Sequence, residues 1–242
     1  MTPRIITKGF TLIEITIVLI VMGLILGGVI KTVGVQRQQL KRDETRQILQ
    51  NINQALIGFA TTEGRLPCPD TDGDGIENPQ NPDNTTSCDD DEGFLPFVDI
   101  GVGGQDAWGN GLRYRVRGTG NLSFANLPPA IDGGGNTTAL DASFSMADNG
   151  NIRIEDRGAN LIANDIPAVV ISYGENGRRT IAGGFPCAAN FPSSIEDENC
   201  NDDTTFLDDD YSSVTAAGYD DLVMWVSLTV LKSRMLEARR LP

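Results

Sequence analysis

Histidine is absent from this 242-residue chain. That excludes a Ser-His-Asp triad, a Cys-His nucleophile pair and any His-ligated zinc site. Positive charge is short as well. Nineteen Lys and Arg face 33 Asp and Glu, a formal net charge of −14. Such a chain repels nucleic acid and anionic membrane surfaces unless a local basic patch overrides the balance. Proline is missing from Phe10 through Thr62, so nothing in that stretch forbids a long helix. No nucleophile–base pair is visible, and the paired acids have no context that picks them out. The expectation is therefore that this is not an enzyme.

Cysteine is sparse but even in number: Cys68, Cys88, Cys187 and Cys200, with no CxxC pair. In an exported chain this reads as two disulfides, with three connectivities open. Pairing by nearness gives Cys68–Cys88 and Cys187–Cys200. The chain has one long apolar run, Phe10 to Ile30, whose sole charge is Glu14. About 20 residues at 1.5 Å each cover roughly 30 Å of hydrocarbon. A carboxylate within such a run costs roughly 2.5–3.5 kcal/mol on insertion scales. Either Glu14 sits shallow and reaches headgroup water, or it has a function.

The residues around it favour function. Lys8-Gly9-Phe10-Thr11-Leu12-Ile13-Glu14 resembles the class III signal of type IV pilins and type II secretion pseudopilins. That signal is a short basic leader ending in Gly, then Phe-Thr-Leu-Ile-Glu, then an apolar helix. The resemblance covers Met1 to Ile30. It implies cleavage between Gly9 and Phe10 by a membrane prepilin peptidase, with N-methylation of Phe10. It also implies that Glu14 pairs with the N-terminal amine of a neighbouring subunit, so that two charges costly in an apolar core neutralise each other. The cut precedes the apolar run, so the helix stays in the mature protein.

The expected organisation is leader 1–9, transmembrane and filament-core helix 10–30, the amphipathic half of the same helix 31–62, and a β-rich head 63–242. Arg4 and Lys8 favour a cytoplasmic N-terminus. Lys31, Arg37, Lys41, Arg42 and Arg46 beyond the run favour the reverse. The resemblance and the cysteines decide for a single-pass protein of the bacterial inner membrane with a periplasmic head. Ile48, Ile52, Leu56 and Phe59, with Leu49 and Ala60 beside them, form the face on which the head packs. The expected fold class is α+β, with the long N-terminal helix on an antiparallel sheet and a short C-terminal helix.

In the head, Asp70-Thr71-Asp72-Gly73-Asp74-Gly75 has the spacing of the first half of a calcium loop, and Asn78 falls at its ninth position. Position twelve is Asn81 rather than Glu, so a full EF-hand does not fit. The candidate Ca²⁺ ligands are Asp70, Asp72, Asp74 and Asn78, with Asp83 or Glu77 completing the shell. The alternative is a solvated acidic turn. Asp106-Ala107-Trp108-Gly109 before a strand resembles the heads of major pseudopilins. In the strand Leu112–Arg117, Leu112, Tyr114 and Val116 point inward and Arg113, Arg115 and Arg117 share an outer face. Further strands are expected near Leu122–Phe124, Ser143–Met146, Asn151–Glu155, Ala168–Tyr173 and Tyr219–Ser227, and a helix over Leu228–Arg239. Glu196, Asp197, Glu198, Asp202, Asp203 and Asp208–Asp210 form a mostly solvated acidic series; the resemblance to major pseudopilins implies, as the alternative, a second Ca²⁺ held by some of them.

The function so implied is that of a structural filament subunit. Its partners are homologous pilin subunits, the prepilin peptidase, the inner-membrane assembly platform and the membrane itself. The alternative is a minor tip subunit acting as a calcium-dependent adhesin or a substrate- or DNA-binding module.

Overall fold

The structure, a computed structural model, describes residues 9–79, 87–117, 124–125, 142–177, 195–201, 203–212 and 218–241, without the side chains of 25–35, 176 and 195–196. The chain divides into two compact units, Met1–Lys41 and Arg42–Pro242.

In the first unit, helix α1 starts at Leu12; the helix is assigned over Leu12–Glu63 and enters the second unit at Arg42. Its side chains from Phe10 to Leu24 are exposed, Leu12 at 83% and Leu24 at 74%. Among the described residues, no helix is long and apolar enough to cross a membrane. The expected span 10–30 is described with side chains only to Leu24.

The second unit is built on two sheets. Strands β1 (Glu92–Phe94), β2 (Arg113–Val116), β5 (Ala168–Ser172) and β7 (Leu222–Trp225) form an antiparallel sheet in the order β1-β2-β5-β7. Strands β3 (Ile152–Glu155), β4 (Leu161–Ile166) and β6 (Thr205–Leu207) form a second sheet in the order β4-β3-β6. There β3 pairs with β4 antiparallel and with β6 parallel. Helix α2 (Leu228–Glu237) follows β7. The head is thus α+β with an antiparallel main sheet and a short C-terminal helix. Ser143–Met146 is a bend and turn, not a strand; Phe144 serves instead as a core residue, its ring centroid 4.5 Å from that of Phe124 with the rings tilted by 36°. Leu122 lies outside the described residues, and Phe124 is a bend.

Both faces of the main sheet are covered. On one face, Leu49, Ile52, Leu56 and Ala60 of α1 meet Tyr114, Val116, Ala168, Val170 and, from α2, Leu231 and Met235. On the other, Val169, Ile171 and Tyr173 meet Ile152, Ile154, Ile166 and Phe206. That is why all five residues of β5 are apolar or small and all are buried. The buried stripe of α1 runs Arg42, Thr45, Leu49, Ile52, Leu56, Ala60, at steps of three and four. It lies one residue round from the expected face. Ile48 is only partly buried, and Phe59 carries the Arg65 guanidinium 5.3 Å from its ring centroid.

Helix α1 ends where Gly64, at φ 77°, donates its N–H to Ala60 O at 2.9 Å. Arg240, from beyond α2, donates Nε to Thr61 O at 3.0 Å and also reaches Thr62 O. Its charge sits where the helix dipole favours a cation.

Candidate functional site: the N-terminal turn of α1 and the Asp-rich loop

Thr11 precedes α1, and its Oγ1 accepts the Glu14 N–H at 3.4 Å. The Glu14 N–H also reaches Thr11 O at 3.1 Å. Thr11-Leu12-Ile13-Glu14 is thus a Thr-x-x-Glu start, with the acid in the first turn where the helix dipole favours it. Phe10, just before the helix, and Glu14 line a hollow of about 240 Å³ with Ile15, Val18 and Leu19. Glu14 is exposed on an otherwise apolar stretch of helix. Gly9 lies beside Phe10, exposed and outside the helix.

The Asp-rich loop lies between Cys68 and Cys88, which are disulfide-bonded with Cα atoms 5.3 Å apart. Gly73 and Gly75 take φ 85° and 86°, conformations open to glycine, so the chain turns tightly around Asp70. Asp70 is fully buried. Its Oδ1 accepts the N–H groups of Asp72 (3.1 Å) and Gly73 (2.6 Å), and its Oδ2 that of Gly75 (2.8 Å). Asp72 and Asp74 stay exposed and accept the N–H groups of Asp74 and Ile76. One carboxylate oxygen from each of Asp70, Asp72 and Asp74 lies within 4.8 Å of the others. Among the described residues this is the one His, Cys, Asp or Glu group of three or more so arranged. Hard carboxylate oxygens on a tight turn suit a Ca²⁺ ion.

The rest of the expected shell is committed elsewhere. Glu77 binds Arg65 through both oxygens, at 2.5 and 2.7 Å, and also accepts the Cys68 N–H at 2.9 Å. The pair is nearly buried, which takes Glu77 out of the ligand set. Asn78 Oδ1 accepts the Thr71 N–H at 2.7 Å. It braces the loop from the far side of the turn. Asn81 and Asp83 lie outside the described residues. Cys200 is disulfide-bonded; its expected partner, Cys187, lies outside the described residues.

The arginine face of β2 is not at the surface. Arg113 and Arg115 are buried at 1% and 8% exposure beneath the second sheet. Arg115 donates to Glu92 at 2.6 Å, and Arg113 also pairs with Glu92. Arg113 further donates to Tyr173 Oη at 3.1 Å, to Asn201 O at 2.8 Å and to Asn199 O. Its guanidinium lies 5.3 Å from the centroid of Phe206. Burial alone would lower its pKa, but Tyr173 and Glu92 outweigh that and the net direction is upward. Arg117, half-buried at the strand end, reaches Asn149 O.

The Asp106–Asn110 turn is a separate buried hub on the α1 face of the main sheet, where the Ala107 N–H donates to Thr45 Oγ1 at 3.2 Å. Asp106 Oδ1 accepts the N–H groups of Trp108 (2.9 Å) and Asn110 (2.8 Å), while Oδ2 accepts Ser172 Oγ–H at 2.7 Å. Asn199, fully buried, was not singled out from the sequence. It donates Nδ2 to Asp221 (2.9 Å) and Leu207 O (3.0 Å), and accepts the Leu207 N–H. Nothing local distinguishes it from the other Asn residues of its acidic segment.

Of the acidic series, Asp209 pairs with Arg157 at 2.7 Å. Burial, then Asp209 and Asp210, push the Asp208 carboxyl above its ordinary range. Asp202 lies outside the described residues. No protein-family model, curated protein or solved structure matches the chain.

Proposed function

We propose that the protein is a structural subunit of a type IV pilus-like or type II secretion pseudopilus filament. A prepilin peptidase cuts between Gly9 and Phe10, the new Phe10 amine is methylated, and the subunit polymerises through α1. Before assembly α1 anchors the chain in the inner membrane, with the N-terminus cytoplasmic and the head periplasmic. The observation that carries this reading is the exposed apolar surface from Phe10 to Leu24, holding one carboxylate, Glu14, that lines a hollow together with Phe10.

That surface is unfavourable in water by about 25 cal/mol per Å² of apolar area. Lipid first, and then the helices of other subunits, remove it from water. After the cut, Phe10 ends in an amine. In a dry filament core, an amine and a carboxylate from neighbouring subunits tolerate burial only as a pair, and that requirement fixes their register. No residue needs a catalytic role.

The test is Glu14→Ala in the full chain, expressed with a prepilin peptidase and an assembly platform. Membrane insertion and head folding should persist while filament yield collapses. Filaments of normal length and yield would refute the role given to Glu14.

A second reading has its own support. The convergence of Asp70, Asp72 and Asp74 favours a minor tip subunit with a calcium-dependent head that contacts a surface or a secreted substrate. Copy number separates the two: thousands per fibre for a major subunit, a few for a tip. The nucleic-acid version loses its main support, because Arg113 and Arg115 are buried against Glu92.

A further inference from the structure

We propose that the groove bounded by α1, β7 and the segment 208–211 receives the Arg37–Leu40 face of α1 from a second copy of this chain. This deepens the filament reading and rests on it.

The groove has a volume of about 640 Å³ and is lined by Arg42, Arg46, Ile162, Asp208, Asp210 and Tyr211, among others. Among the described residues its lining holds five carboxylates, Asp156, Asp208, Asp209, Asp210 and Asp221, against two guanidinium groups, Arg42 and Arg46. Asp209 is met by Arg157 at 2.7 Å, and Arg46, which pairs with Asp43 on its own helix at 2.9 Å, also acts on Asp208. The Asp208 carboxyl is pushed up, by burial first and by Asp209 and Asp210 next, as expected where negative charge crowds a partly desolvated site. Beside the acids, Ile162 and Tyr211 are each 46% exposed, the Tyr211 ring carrying the Arg42 guanidinium 4.2 Å from its centroid. The groove therefore offers two things at once: more carboxylates than cations, and apolar surface that is still partly exposed.

An occupant should carry both complements. In a chain of net charge −14, five of the 19 Lys and Arg fall between Lys31 and Arg46. Arg42 and Arg46 line their own groove. Arg37 is exposed, and so is Leu40, at 68%. They are three residues apart on a helix and therefore share a face. Leu40 matches Ile162 and Tyr211; Arg37 matches Asp208 and Asp210. The two surfaces differ, so the contact is heterologous; it does not close as a two-fold dimer and repeats into an open helical array unless its rotation closes a ring.

The test uses the full chain in membranes with its peptidase and assembly platform, carrying Tyr211→p-benzoylphenylalanine. Irradiation should join position 211 to residues 36–41 of a second copy. In the same background, Arg37→Asp and Asp210→Arg should each lower filament yield about tenfold, and the two together should restore it to within about threefold. The unfolding temperature of the head should not change in either. If filaments form but the crosslink falls elsewhere, or the double reversal does not restore yield, the docking proposal is overturned and the filament reading survives. If the unaltered chain forms no filaments, both are overturned.

Discussion

At Glu92 one carboxylate, 8% exposed, serves two buried guanidinium groups. Glu92→Ala would remove the carboxylate that both cations share. A loss of about 3–5 kcal/mol is expected, because breaking a buried ion pair is strongly destabilising. Urea unfolding of the detergent-solubilised chain measures it. Asp208 should act in the opposite direction. Its folded pKa is raised, so its ionisation destabilises the head. That penalty is absent below the unfolded carboxyl pKa, grows as pH rises through the raised folded value, and is constant above it. Asp208→Asn should therefore raise the unfolding temperature at pH 7, by less than about 1 kcal/mol in stability because solvent reaches the carboxyl. The gain should vanish near pH 3; a gain that is the same at both pH values would contradict the assignment. Arg113 and Arg115 also mark where the sequence stops being legible. Alternation along β2 was correct, with Leu112, Tyr114 and Val116 in one core. Polar residues on the other face read as solvated unless something covers them, and the cover comes from strands of three to six residues far along the chain.

Elements with strong local patterns were readable. The α1 stripe, β2, β3, β5, β7 and α2 all lie within or close to their expected ranges. The three-residue strands β1 and β6 carry too few residues to show a period. β4 breaks its own alternation, with register shifts against β3 and Asp165 at φ 57°. The Asp-rich loop was legible as a turn with converging acids, whereas the loss of Glu77 to Arg65 was not, because that ion pair joins a residue inside the disulfide loop to one before it, 12 residues away. If the loop binds Ca²⁺, millimolar Ca²⁺ but not Mg²⁺ should raise the unfolding temperature of the head. Stabilisation of about 2.7 kcal/mol is expected at a hundredfold excess over Kd. Asp72→Asn with Asp74→Asn should abolish that response and leave the metal-free stability nearly unchanged, since both side chains are exposed. An unchanged melting curve with and without Ca²⁺ would remove calcium from the account. Opening the Cys68–Cys88 bridge by Cys88→Ser should cost about 2–4 kcal/mol, because it frees a closed loop in the unfolded chain; urea midpoints under matched oxidising conditions report it.

For the whole molecule, the two units carry different parts of the proposal. The first presents apolar helix with Glu14 near its start; the second buries its own core on both faces of a sheet. The head buries a core of its own while the side chains of α1 from Leu12 to Leu24 are exposed, and that contrast is the physical basis for proposing a polymer. The most direct test is the intact mass, with N-terminal sequencing, of the protein taken from the membranes of the cell that makes it. The expected chain begins at Phe10, carries one added methyl group on its amine, and is four hydrogens lighter than the reduced form, for two disulfides. A native chain that still begins at Met1, or one with an unmethylated amine at another residue, would contradict the proposal at its root.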